Sequence, residues 1–193
     1  MQTVNYLAGA ALEFESRGLN DLVDSTFAIA TKQFDDEDSS TGREVRLAIR
    51  AHQARTNVIG RIFDPEPVAH DDAAVRLADY RGKVVLIPFW AAGFPESLQL
   101  VDRLKAIQVA DPENTTIVGL NLDANAEQLK QFLAANDLGF PSIRAQSSAT
   151  DVATQFGLVS FPFVAILDQE GRVAAINFTG YELEIAVKKL VQQ

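Results

Sequence analysis

Along the first third of the chain, apolar residues recur every three or four positions, the spacing of one face of an α-helix. Val4, Leu7, Ala8, Ala11, Leu12 and Phe14 form one such face, and Gly18 stands where a helix would end in a left-handed residue. Asn20 is a candidate cap for a second helix whose apolar side is Leu22, Val23, Phe27, Ile29 and Ala30. The polar stretch Asp35-Asp36-Glu37-Asp38-Ser39-Ser40 reads as a linker. Thr41-Gly42-Arg43-Glu44 has capping-box spacing, and Val45, Leu47, Ala48, Ile49 and Ala51 supply a third face. Residues 1–56 are therefore expected to be a small helical segment.

From Asn57 onward the pattern changes. Val58-Ile59-Gly60-Arg61-Ile62-Phe63 and Ala74-Val75-Arg76-Leu77 predict two short strands, with a turn at Asp64-Pro65-Glu66-Pro67. Lys83 to Phe89 is an apolar run of the kind buried on both faces of a sheet. A helix is expected from Pro95 to Ala110, a buried strand from Thr115 to Asn121, and helices at 126–136 and 149–156. Strands at Phe163–Leu167 and Val173–Asn177, joined by Asp168-Gln169-Glu170-Gly171, and a final helix from Glu182 to Val191 complete the chain. This order predicts an α/β domain over residues 57–193, a mixed central sheet with helices on both faces.

Composition then removes most chemistries. None of the 193 residues is cysteine, so the chain has no disulfide, thiolate nucleophile, iron–sulfur cluster or cysteine zinc site. His52 and His70 are the only histidines, too few for a histidine-built metal centre. The net charge of −9 disfavours nucleic acid and anionic membranes as partners. No apolar run approaches the roughly 20 residues that span a bilayer, and no signal peptide is recognisable at the start. Asp36-x-Asp38-x-Ser40 begins like a calcium loop, but Thr41 replaces its glycine and Leu47 its bidentate glutamate, so a solvated linker is expected. His70 beside Asp71 and Asp72 reads as a surface turn. No glycine-rich phosphate loop is present, and no cofactor or metal is expected.

Four segments, in order, carry a resemblance. They are Asp79 to Ala92 (DYRGKVVLIPFWAA), Val118 to Asp123 (VGLNLD), Phe156 to Pro162 (FGLVSFP) and Leu167 to Val173 (LDQEGRV). Over residues 57–193 the chain resembles TlpA-like thioredoxin-fold proteins, relatives of the AhpC/TSA group. The resemblance implies a thioredoxin-like fold and a site after Phe89-Trp90-Ala91 bearing Cys-x-x-Cys. There the first thiolate, its pKa lowered at a helix start, attacks disulfides and the second resolves the mixed disulfide. Phe94-Pro95-Glu96-Ser97 occupies that tetrad here, so phenylalanine and serine stand at the two cysteine positions. Ser97 has no base indicated nearby to activate it. Pro88, Gly93 and Leu98-Gln99-Leu100-Val101-Asp102 depart from the family pattern at the same place. No catalytic residue is expected, and thiol–disulfide enzyme activity is not.

What the resemblance leaves is the binding half of the site. Ser160-Phe161-Pro162 matches the family's cis-proline loop, which either serves binding or only packs two loops together. Phe94 and Phe161 are expected side by side on the surface, with Trp90 and Phe140 extending the patch and Gly93 and Pro162 flanking it. Phe89, Phe132 and Phe163 are expected in the core. The leading expectation is a redox-inactive module that binds a protein or peptide at this surface. A component relying on cysteines elsewhere in a longer protein or in a partner is one alternative, and a purely structural domain is another. By resemblance alone the location is extracytoplasmic, in the periplasm or cell envelope, as fold does not fix function.

Overall fold

The computed structural model describes residues 9–15, 17–34, 39–65, 67–68, 75–145, 149–176 and 181–193. His70, Asp71, Asp72, Ala74 and the stretch 35–38 lie outside the described residues. The helical periodicity of the first third is realised as α1 (residues 9–15), α2 (Asn20–Gln33) and α3 (Ser40–Val58), while Val4, Leu7 and Ala8 of the first expected face lie outside the described residues. Gly18 follows α1 at a φ of 69°, the left-handed conformation that ends helices. The capping expectations shift slightly. Asn20 is already helical, with Leu19 at the cap position. Ser39, not Thr41, caps α3, its hydroxyl accepting the Gly42 N–H at 2.9 Å.

Among the described residues, seven strands build one sheet: β1 (Pro67–Val68), β2 (Val84–Trp90), β3 (Thr115–Ile117), β4 (Gly119–Asn121), β5 (Ser142–Ala145), β6 (Phe163–Leu167) and β7 (Val173–Ile176). Their order is β1-β5-β4-β2-β6-β7, with β3 also paired to β2. β2 runs parallel to β3 and β4, and β4 parallel to β5, while β6 is antiparallel to β2 and β7 to β6. The helices are α4 (Val101–Ala110), α5 (Ala126–Ala135), α6 (Ala149–Gln155) and α7 (Tyr181–Val191).

All seven residues of β2 are buried, as an apolar run without alternation requires. Side chains alternate across a strand, so Val85, Ile87 and Phe89 enter one core with Val58, Val152 and Phe156. Val84 and Leu86 enter the other, with Leu104 of α4 and Leu183 and Val187 of α7. Phe156 packs on Phe63 and Phe89 with ring centroids 4.7 and 5.0 Å apart, and Phe89 lies 5.0 Å from Phe163. Aromatic clusters of this tilted and edge-on geometry favour a single packed arrangement.

Several predicted elements are corrected. Val58 ends α3 and the stretch to Phe63 makes only an isolated bridge, Ile62 with Arg172, because its apolar residues serve a helix end and a core contact. Leu77 belongs to a 3₁₀ turn, Leu77–Tyr80, and the proposed turn at Pro67 is instead the start of β1. The strand expected over 115–121 is interrupted at Val118. Pro88, level with Gly119 in the shared register, has no N–H to give to the ladder there. The helix expected from Pro95 starts as a 3₁₀ turn, Pro95–Leu98, and becomes α-helical only at Val101. β5 has no counterpart among the predicted strands. Only Ile143 of its sequence is apolar and bulky.

Candidate functional site

β2 ends at Trp90 and delivers the chain to the loop that carries Phe94-Pro95-Glu96-Ser97. Two polar side chains hold this loop. Ala92 donates its N–H to Asp123 Oδ2 at 2.9 Å, and Asn121 Nδ2 donates to the same oxygen at 2.7 Å. Asn121 is buried at the end of β4, so the latch is anchored in the sheet. Ser97 provides the second restraint: its hydroxyl accepts the Ala91 N–H at 3.2 Å and donates to the Phe94 carbonyl at 2.6 Å.

Those contacts decide what Ser97 can do. The side chain is buried, at 2 % exposure, and its proton is committed to a backbone carbonyl. A serine acts as a nucleophile only when a base removes its proton. Here the hydroxyl closes a turn, joined by the Ser97 N–H to Phe94 carbonyl bond at 2.9 Å. At the other position of the tetrad, Phe94 is 55 % exposed. Its ring centroid lies 5.6 Å from that of Phe161, tilted by 44°. The Phe161–Pro162 peptide is cis.

Phe94, Glu96, Leu158, Val159, Ser160 and Phe161 line an open groove of about 440 Å³. The two phenylalanines expected to meet therefore do meet, and Pro162 follows Phe161 half-buried. The other expected members do not join them. Trp90 has no exposure: its ring packs 5.7 Å from Phe132, and its Nε1 donates to Ser142 Oγ at 3.1 Å. Strand parity puts Trp90 on the face of Val84 and Leu86, away from the groove. Gly119 allows this packing, since a Cβ there would lie 2.8 Å from Trp90 Nε1 and 2.8 Å from Phe140. Phe140 accordingly packs against the core on that face, and Phe132, expected in the core, is half-buried. Gly93 is exposed but does not line the groove.

A contact that sequence reading missed reaches the groove from the far end of the chain. Arg55, 6 % exposed on α3, donates from Nη1 to the Gly157 carbonyl at 2.6 Å. Its Nε and Nη2 bind the two carboxylate oxygens of Glu15 on α1 at 2.6 and 2.8 Å, and His52 Nδ1 lies 2.7 Å from Glu15 Oε1. Gly157 has a φ of 59° and sits directly on the Ala51 carbonyl, where a Cβ would collide with backbone. Ser160, the neighbour of Phe161, is three residues further on, so the N-terminal helices brace the start of the groove loop.

A larger cavity of about 530 Å³ lies between α4 and α7, lined by Ile107, Ala110, Val187 and Lys188 among others. It contains none of the loop residues that the resemblance marks. Among the described residues, no group of three or more His, Asp and Glu side chains is placed to hold a metal, and no helix is long and apolar enough to cross a membrane.

The strand order and the helices packed on the mixed sheet define a thioredoxin-like fold with N-terminal helices ahead of it. A family model described as "Thioredoxin-like" matches residues 82–173, and that segment is a thioredoxin-like domain. The chain is 25 % identical over 104 residues to the thioredoxin-like protein YneN of Bacillus subtilis, a match covering 52 % of this chain and 59 % of that protein. Among solved structures it is similar to the thioredoxin domain of a thiol-disulfide oxidoreductase from Bacteroides vulgatus. That pair has 25 % identity and a TM-score of 0.57, covering 69 % of this chain and 95 % of the other. A thiol:disulfide interchange protein from a Bacteroides species is similar at 25 % identity and a TM-score of 0.58, covering 70 % and 91 %. The chain has their fold without a single cysteine.

Proposed function

We propose that this protein is a thioredoxin-like module without thiol–disulfide chemistry that binds a protein or peptide segment through the groove at Phe94 and Phe161. The observation that carries the reading is the Phe94–Phe161 pair. An exposed phenyl ring, at the position where the resemblance implies the attacking cysteine, packs at a tilt against the ring that precedes the cis-proline. Exposed aromatic side chains at a concave surface are characteristic anchors for a partner. The 55 % exposure of Phe94, rather than burial under the N-terminal helices, supports binding over a purely structural role. Resemblance to TlpA-like proteins supports placement in the cell envelope.

Two measurements test the reading. Insulin reduction by dithiothreitol should proceed at the same rate with and without the protein, and acceleration above the protein-free control would overturn the loss of redox chemistry. A linear peptide selected from a displayed random library should bind the Phe94→Ala/Phe161→Ala variant at least about tenfold more weakly than wild type, because anchor truncation costs about 1–2 kcal/mol or more. Equal affinity of the two proteins would remove the groove as the binding surface.

A further inference from the structure

Resting on that reading of the groove, we infer what its occupant carries: an extended apolar segment bearing an arginine, whose guanidinium lies over the Phe94 and Phe161 rings and pairs with Glu96. Three observations meet in one place. Glu96 is the sole ionisable side chain among the six residues that line the groove. It is exposed and forms no salt bridge with any described residue, so its carboxylate is available to a ligand. Beside it, the exposed Phe94 ring and the half-buried Phe161 ring are tilted by 44° at a 5.6 Å centroid separation, and both line the same groove.

The chemistry of these groups selects a cation. The face of an aromatic ring is electron-rich and attracts a cation within about 6 Å of its centroid. Arginine suits the combination better than lysine, because its planar guanidinium stacks on a ring while its N–H fork pairs with a carboxylate. A carboxylate in the same position would be pressed against Glu96 with no basic lining residue to offset it. The net charge of −9 acts in the same sense at longer range, favouring approach of basic segments. Leu158 and Val159, the latter 49 % exposed, offer the apolar contact for residues next to the arginine.

The test uses three end-capped, fluorescein-labelled hexapeptides that share a leucine- and valine-containing core and differ at one position, occupied by arginine, glutamine or glutamate. Fluorescence anisotropy of the full chain with each peptide should rank arginine over glutamine by about fivefold to tenfold, the sum of an exposed ion pair and a cation–π contact. Glutamate should bind weakest. The preference should shrink to about twofold in Glu96→Gln, an exposed substitution that leaves the fold intact, and should weaken as salt is raised, because screening acts on exposed pairs. Equal binding of all three peptides, or a preference unchanged in Glu96→Gln, would overturn the arginine selectivity while leaving the binding groove in place. No binding of any peptide would overturn the groove reading itself.

Discussion

Arg55 on α3 donates from Nη1 to the carbonyl oxygen of Gly157 at 2.6 Å, across 102 positions of sequence. The bond ties the N-terminal helices to the segment that leads into Phe161. Because the same guanidinium holds both oxygens of Glu15, one side chain joins α1, α3 and the groove loop. The described residues of the helical segment are thus structural neighbours of the groove without covering it.

Replacing Arg55 tests this joint. Arg55→Ala leaves Glu15 half-buried beside His52 alone and removes the donor to Gly157. Breaking a buried pair on one side typically costs about 3–5 kcal/mol. Urea unfolding should show a loss of that size, and hydrogen exchange should increase around Gly157 to Phe161. A loss below about 1 kcal/mol, within the range of surface ion pairs, would mean that the joint is not a stabilising contact.

Ser97 is predicted to matter for stability and not for reactivity. Ser97→Ala removes the acceptor of the buried Ala91 N–H, at a cost of about 1–3 kcal/mol for an unpaired donor. Thermal unfolding should shift down accordingly. A serine-directed fluorophosphonate probe should label wild type no more than the variant, since the hydroxyl proton is held by the Phe94 carbonyl.

The scaffold should still accept a disulfide. Positions 94 and 97 are the ends of a closed turn, bonded from the Ser97 N–H to the Phe94 carbonyl, and such ends lie within about 7 Å between Cα atoms. That separation is within reach of a disulfide. The double variant Phe94→Cys/Ser97→Cys should therefore lose both free thiols under mild oxidation, measured by thiol titration and intact mass. Two persistent thiols would show that this turn does not hold positions 94 and 97 within disulfide reach.

Tyr80 supplies a pH-dependent prediction away from the groove. Burial, then the neighbouring Asp79 carboxylate, raises its phenol pKa above the ordinary value of 10.0. The folded state thus favours the neutral phenol. Its contribution to stability is complete below the unfolded pKa near 10 and disappears as pH rises through the higher folded value. Ultraviolet titration should show a phenolate step above pH 10 that is absent in Tyr80→Phe. If the step that Tyr80→Phe removes lay at the free-tyrosine value, this environment would be contradicted.

Much of the fold is legible in local pattern. β2 stands out because seven consecutive buried positions need an unbroken apolar run, and α7 because its apolar residues keep helical spacing. β5 is illegible for the opposite reason: Ser142, Arg144 and Ala145 give it no strand signature, and parallel pairing with β4 supplies what propensity does not. The latch residues Asn121 and Asp123 stood within a recognised segment, but nothing local says that they bind the loop after β2.

The amino-acid sequence by itself determined that no thiol chemistry exists in this chain, since a missing functional group needs no structure to establish, and its resemblance to TlpA-like proteins put Phe94 and Ser97 where that family pattern implies cysteines. Tertiary structure decided which aromatic residues reach the surface. Trp90 is buried and Phe94 exposed only four residues apart, because sheet parity turns one indole into the core while a turn closed by Ser97 directs the next ring outward. Such outcomes depend on contacts between distant segments, as between Arg55 and Gly157, and these are set by packing rather than by any local periodicity.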